Sequence, residues 1–238
     1  MRKICFITLL YAILFATLLL GEGKQKESLT LKDFNLLGKV KTIVETKYET
    51  KEVNNESVKD TSKSINKKEW KFDSKGRLLE IIYYRPDIGN GKEIFNYDES
   101  GNYTGYAHYN FPDDLFVKTV PVDFDENGKV IKEKCYNNDG NEKGLMSYIW
   151  IDGIRMQRIW YEKPYLAIYQ HIFNFHEYEE SLITLSAYAG NTIERWQIET
   201  KDSHQNWIKA IKTFNNLCPD REQDKEYTFI VERKFQYY

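Results

Sequence analysis

Apolar and polar positions alternate with a period of two along most of the chain. Trp70 and Phe72 stand on one side of a strand pattern and Lys71 on the other, the periodicity of a half-buried β-strand. Ile81 and Tyr83 alternate with Ile82 and Tyr84, so that stretch is apolar on both faces and is expected to lie deep or against another layer. Tyr227 to Tyr238 reads as a further alternating strand. No segment after the first thirty residues sustains a 3.6-residue apolar period. Leu29 to Leu37 is the one place for a short entry helix. Lys51 to Lys68 is rich in Lys, Asn, Ser and Glu and predicts a polar loop or a strongly solvated hairpin.

The alternating runs are punctuated by a recurring turn. Phe72-Asp73-Ser74-Lys75-Gly76, Tyr97-Asp98-Glu99-Ser100-Gly101 and Phe124-Asp125-Glu126-Asn127-Gly128 share the form aromatic-Asp-x-x-Gly, with the aspartates 25 and 27 residues apart. Asp opening a type I turn accepts bonds from amides further along, and Gly at the fourth position tolerates the left-handed conformation of a bulge. Each motif is therefore a hairpin tip. Weaker copies follow in the same register: Asp152-Gly153 as a two-residue turn, His176 where Asp and Gly are both lost, and Asp202 with Gln205 in place of Gly. Return connections fall between them at Arg85 to Gly91, Asn110 to Asp114 and Asn137 to Gly140. The expected fold is all-β: an antiparallel meander of about six β-hairpin repeats, about twelve to fourteen strands, in one elongated or curled sheet. Val40 to Val44 and Tyr227 to Tyr238 would cap its two edges.

The repeats resemble the YD-repeat family of bacterial Rhs-type proteins, most closely at Tyr97-Asp98 with Gly101, then at Phe72-Asp73 with Gly76 and Phe124-Asp125 with Gly128. The clearest repeats run from 69 to 214. Large members of that family wind many hairpins into a shell around a toxin segment. This chain has too few repeats for that plan and is more similar to small exported members with a handful of repeats and no assigned activity. The resemblance implies architecture rather than chemistry.

The start of the chain changes the compartment. Met1-Arg2-Lys3 precedes an uncharged run from Ile4 to Leu20, and Gly21-Glu22-Gly23 supplies small residues at a cleavage site. Residues 1–23 thus read as a signal peptide, giving a single exported domain over 24–238 in the periplasm or at the cell surface. An uncleaved anchor is the alternative, and it would be the only link to the membrane in this reading. With Arg2, Lys3 and Glu22 removed from 34 basic and 36 acidic residues, the net charge is about −3. There is no basic excess to recruit nucleic acid. Cys135 and Cys218 remain; in an oxidising compartment they can form a disulfide if their Cα atoms lie about 4.4 to 6.8 Å apart, and two unpaired thiols are the alternative.

Candidate chemistry is sparse. Asp123, Asp125, Asn127 and Gly128 imitate the opening of a calcium loop, but Lys134 occupies the place of its closing carboxylate, so a hairpin turn is the better reading. His171, His176, Glu177 and His204 suggest a metal cluster, yet His171 and His176 are five apart and fall on opposite strand faces. No nucleophile, phosphate-loop or dinucleotide motif is present, and no cofactor is implied. Aromatic residues make up 15% of the chain. Tyr106, Tyr109, Trp160 and Tyr161 would form a binding face if exposed, and otherwise serve as core or cross-strand partners. The leading expectation is a non-catalytic interaction module for a protein or glycan. A hydrolytic, carbohydrate-active enzyme with carboxylates on the sheet is the second, and an outer-membrane β-barrel the third. Lys and Arg recur on both faces of the strands, which weighs against the third.

Overall fold

In the computed structural model the described residues are 30–53, 56–85, 89–110, 114–151, 154–162, 166–175, 179–186, 191–216 and 226–238. Residues 1–23, read above as a signal peptide, and Asp152, Gly153, His176, Glu177 and Cys218 lie outside them. A 3-10 turn at Leu31–Phe34 leads into fourteen strands: β1 Val40–Val53, β2 Glu56–Phe72, β3 Leu78–Tyr84, β4 Gly91–Tyr97, β5 Tyr103–Asn110, β6 Asp114–Phe124, β7 Val130–Tyr136, β8 Glu142–Ile151, β9 Ile154–Glu162, β10 Leu166–Phe175, β11 Glu179–Ser186, β12 Thr192–Lys201, β13 Trp207–Asn216 and β14 Glu226–Tyr237. Consecutive strands pair antiparallel, and β14 returns to pair with β1, so the sheet is a closed barrel.

Closure corrects the expectation of an open meander with capped edges. β1 and β14 pair with each other from Val40↔Tyr237 to Glu49↔Phe229. Their amides and carbonyls thereby find partners that a sheet edge would leave open to aggregation. The meander of consecutive antiparallel strands is retained, while its ends are joined. Two mid-strand glycines mark close approaches between neighbouring strands: a Cβ on Gly105 would stand 2.1 Å from the Thr119 carbonyl oxygen, and one on Gly144 2.0 Å from that of Tyr161. Glycine at such sites lets backbones approach where a barrel bends.

The repeated turn has the geometry its sequence predicts. In the hairpins at Asp73, Asp98, Asp125 and Asp202, the Asp amide donates to the carbonyl four residues on, and the amide at the fourth turn position donates back to the Asp carbonyl. Asp73, Asp125 and Asp202 each also receive two further amides on Oδ1. Asn137 builds the same turn in the β7–β8 connection. The β2–β3, β4–β5, β6–β7 and β12–β13 turns all follow even-numbered strands, so the four Asp tips crowd one end of the barrel.

That end is where the chain enters. The Leu31 amide donates to Gly76 O at 3.1 Å, and Asn206 clasps Leu37, accepting from its amide at 2.8 Å and donating to its carbonyl at 2.7 Å. Asp33 and Lys129 form an ion pair at 2.6 Å, their side chains only 1% and 6% exposed. The expected entry helix is thus a single 3-10 turn, and it plugs the barrel. Of the two readings of 51–68, a polar loop or a solvated hairpin, the hairpin is the one found: the stretch is the top of β1 and most of β2.

Candidate functional site: the barrel lumen

Alternation divides each strand into an inward and an outward set. In the sector around β4 to β9 the inward set packs more closely, around a smaller space of about 100 Å³: Tyr103, Val130, Cys135, Met146 and Tyr148 form a buried cluster with Phe95, Tyr106, Phe124, Trp150 and Trp160 against it. Within it lies a carboxylate, Glu133, 1% exposed, which accepts hydrogen bonds from Tyr103 Oη at 2.8 Å, Thr119 Oγ1 at 3.3 Å and Tyr148 Oη. Buried polar groups persist where they are satisfied in this way. Burial, followed by the charge of Glu133, pushes the Tyr103 phenol well above its ordinary value. Glu93 sits nearby against His108; burial alone would raise its carboxyl, but His108 and Arg158 hold it below the ordinary value.

The other sector is not filled. A cavity of about 290 Å³ is bounded by β1, β2 and β10 to β14, with Phe34 and Leu36 of the plug segment at its floor. Its walls are both aromatic and charged, with Trp70, Phe173, Leu182 and Trp196 beside Glu45, Lys47, Lys68, Glu180, Glu194, Lys212 and Arg233. Arg233 donates to Glu45 at 2.9 Å and lies 3.4 Å from the centre of the Trp207 ring. Lys212 pairs with Glu194 at 2.9 Å. Glu180 accepts from Trp207 Nε1 at 3.1 Å, and burial raises its carboxyl. Burial would also raise Glu45, but Arg233 and Lys68 hold it below the ordinary carboxylate value. Burial, with Lys212 beside it, lowers the Lys47 ammonium, and burial lowers that of Lys68.

The residues singled out by sequence are dispersed in this frame. Asp73, Gly76, Asp98, Gly101, Asp125 and Gly128 are hairpin tips at the plugged end. Tyr106 and Trp160 point inward into the packed sector. Tyr109 faces out, with Lys92 Nζ 5.4 Å from its ring centre, and Tyr161 alternates with Trp160 and so also faces out. These four aromatics therefore do not make one binding face. Cys135 is a free thiol with no exposed surface, pushed up to about 12 by burial. Asp123 pairs with Lys132 and Lys134 with Glu142 on the outer surface, with no ring of ligands around the calcium-like run. His171 is lumenal, 3.0 Å from an Arg158 nitrogen, whereas His204 stacks on Tyr237 at the plugged end with ring centres 4.0 Å apart.

The lumenal charges escaped sequence reasoning. Glu45 and Lys47 keep step with Ile43, and Lys68 with Trp70, so an alternating apolar stripe runs without a break into charge. The signal was there in the register, but charged residues on the other face of the same strands hid it.

No family model matches the chain, and no curated protein does. Solved structures do. A porin-like protein from Bacteroides uniformis ATCC 8492 aligns over 83% of this chain and 96% of its own at 7% identity and a TM-score of 0.46. Chains of the TcdB2-TccC3-TEV and TcdB2-TccC3-Cdc42 structures align over 82% of this chain and 13% of theirs, at 10% and 11% identity and TM-scores of 0.30 and 0.31.

Proposed function

We propose that the chain is a non-catalytic binding barrel of the cell envelope that admits a small ligand to its lumen through the end opposite the plug. The observation carrying this reading is the 290 Å³ cavity, in which a few charged groups converge between aromatic walls. Concave, largely apolar sites with a handful of placed polar groups are the usual form of small-molecule sites, and cavities of about 300 Å³ are at the small end of their range. The expectation of a protein or glycan partner on a flat sheet face moves accordingly to a ligand inside the sheet. A thermal-shift screen of small molecules on the chain without residues 1–23 tests the idea. Hits should raise the melting temperature, and Leu182→Trp, which fills the cavity, should abolish the shifts. Hits that survive Leu182→Trp would sink it.

A membrane-inserted barrel is the second reading. It is favoured by closure of an even number of antiparallel strands and by outward apolar residues on β8 and β11, Ile149, Ile151 and Leu185 at 47%, 55% and 37% exposure. Against it stand the short strands. β3, β4 and β7 have seven residues each. At about 3.3 Å per residue and a tilt of about 40° they rise about 18 Å, short of an apolar band about 25 Å tall. Lysines also pair with carboxylates on the outer surface at Lys71–Glu80, Lys132–Asp123 and Lys209–Glu199. Extraction decides between the two: a membrane-inserted barrel stays with the membrane through an alkaline carbonate wash and needs detergent, whereas an aqueous envelope protein is released without it.

A further inference from the structure

The charges lining the cavity do not cancel locally. Asp33 is matched by Lys129, Glu45 by Arg233 and Glu194 by Lys212. That leaves Lys47, Lys68 and Glu180. Among the described residues no carboxylate stands within ion-pair distance of Lys47 or Lys68. Their closest described contacts are rings, Phe229 at 4.4 Å from Lys47, and Trp70 and Tyr83 at 5.9 and 5.6 Å from Lys68, measured to ring centres, while Glu45 and Glu194 act on both from beyond ion-pair distance and are already engaged by Arg233 and Lys212. An ammonium carries three donors, and ring faces satisfy it weakly compared with an oxyanion. Two cations are thus held in a partly dehydrated cavity at a cost that a bound anion would offset.

We propose that the cavity binds a small organic anion, a carboxylate or phosphate carried on an apolar ring, with Lys47 and Lys68 as its charge partners. The inference rests on the lumenal reading above and names the ligand class for it. Trp70, Trp196, Phe173 and Leu182 line the same space and supply the wall for the apolar ring. Lys212 is held by Glu194 and spans Trp196 at 4.7 Å, so it adds field rather than a free donor. Glu180 is the one carboxylate there without a cationic partner at ion-pair distance among the described residues. Burial favours its protonated form, which limits its opposition to an incoming anion.

Calorimetric titration of the chain with benzoate, phenyl phosphate and benzyl alcohol provides the test, each ring having nearly the same size. Either anion is expected to bind at least tenfold more tightly than the alcohol. Lys47→Gln with Lys68→Gln should erase that preference, and Lys134→Gln on the outer surface should change nothing. Because removing both lysines alters the core, a second measurement uses the unaltered chain: the preference should fade on alkaline titration, as the two ammonium groups lose their protons below the ordinary lysine value. Equal binding of anion and alcohol, or a preference that survives both the double substitution and alkaline pH, overturns the anionic ligand class and leaves the lumenal site standing. Binding of none of the three overturns both.

Discussion

Gln205 occupies the glycine position of the Asp202 turn with φ +67°, one of two non-glycine residues with positive φ among those described. The other turns place Gly76, Gly101, Gly128 and Gly140 there with φ between +78° and +87°. A non-glycine residue in this region is strained by about 1 kcal/mol, partly offset by the greater freedom glycine has when unfolded. Gln205→Gly should therefore stabilise the protein by about 0.5 kcal/mol in urea denaturation. Gly101→Ala should do the opposite, since its Cβ would lie 2.7 Å from an Arg77 nitrogen. In the Asp125 turn the acceptor is what matters, because Asn137 performs the same task in the β7–β8 turn. Asp125→Asn should be nearly neutral, whereas Asp125→Ala removes the acceptor for two amides and should cost about 1 kcal/mol. The same turns carry a pH dependence. Burial would raise Asp73, but bonds from Arg77 bring it below its ordinary value, and bonds from Asn102 lower Asp98. A carboxylate depressed in the folded state stabilises it above the unfolded value and loses that contribution as pH falls through the folded value. Acid unfolding should accordingly begin below about pH 4, and Asp73→Asn with Asp98→Asn should flatten that limb of the stability profile.

Among the elements, the plug carries the most deeply buried ion pair of the described residues, Asp33 with Lys129. Asp33 also accepts from the Thr30 amide at 2.7 Å, and Lys129 Nζ stands 5.1 Å from the Trp150 ring centre. Removing one member of a buried pair leaves the other charge uncompensated and costs about 3 to 5 kcal/mol. Asp33→Asn should lose stability of that order, while Asp33→Leu with Lys129→Met should recover most of it; chemical denaturation of the three variants measures this. If Asp33→Asn is as stable as the parent chain, the plug is not held as described. The hairpins were readable from sequence because a turn is decided locally, by Asp and Gly at fixed positions. The plug was only partly readable. Leu29 to Leu37 offered a short helix, but nothing in those residues names Lys129 or Asn206, which come from turns far along the chain.

For the whole molecule, local signals stop short of closure. An alternating strand reads the same whether its neighbour is the next strand or the last one, and β1 contains no residue that specifies β14. The inward charges were illegible for the same reason. Strands such as β2 carry charge on both faces, and only the closed topology decides that Lys68 faces a lumen while Lys67 and Glu69 face out. The packed sector and the emptier one differ in inward composition, with large rings crowding one and long charged chains lining much of the other. A fourteen-strand circumference encloses more space than its aromatic residues fill, and the cavity is that difference.

The seam between β1 and β14 also sets an order in time. Glu45 and Arg233, joined across it, are 188 positions apart, so the contact cannot form until almost the whole domain has been synthesised. Every earlier stage presents a sheet with two unpaired margins, and contacts between distant residues form slowly. A chain ending before Glu226 should accumulate as oligomers on size-exclusion chromatography while the closed barrel elutes as a single species. The last strand thus works as a completion signal, the segment that turns an adhesive intermediate into an inert one.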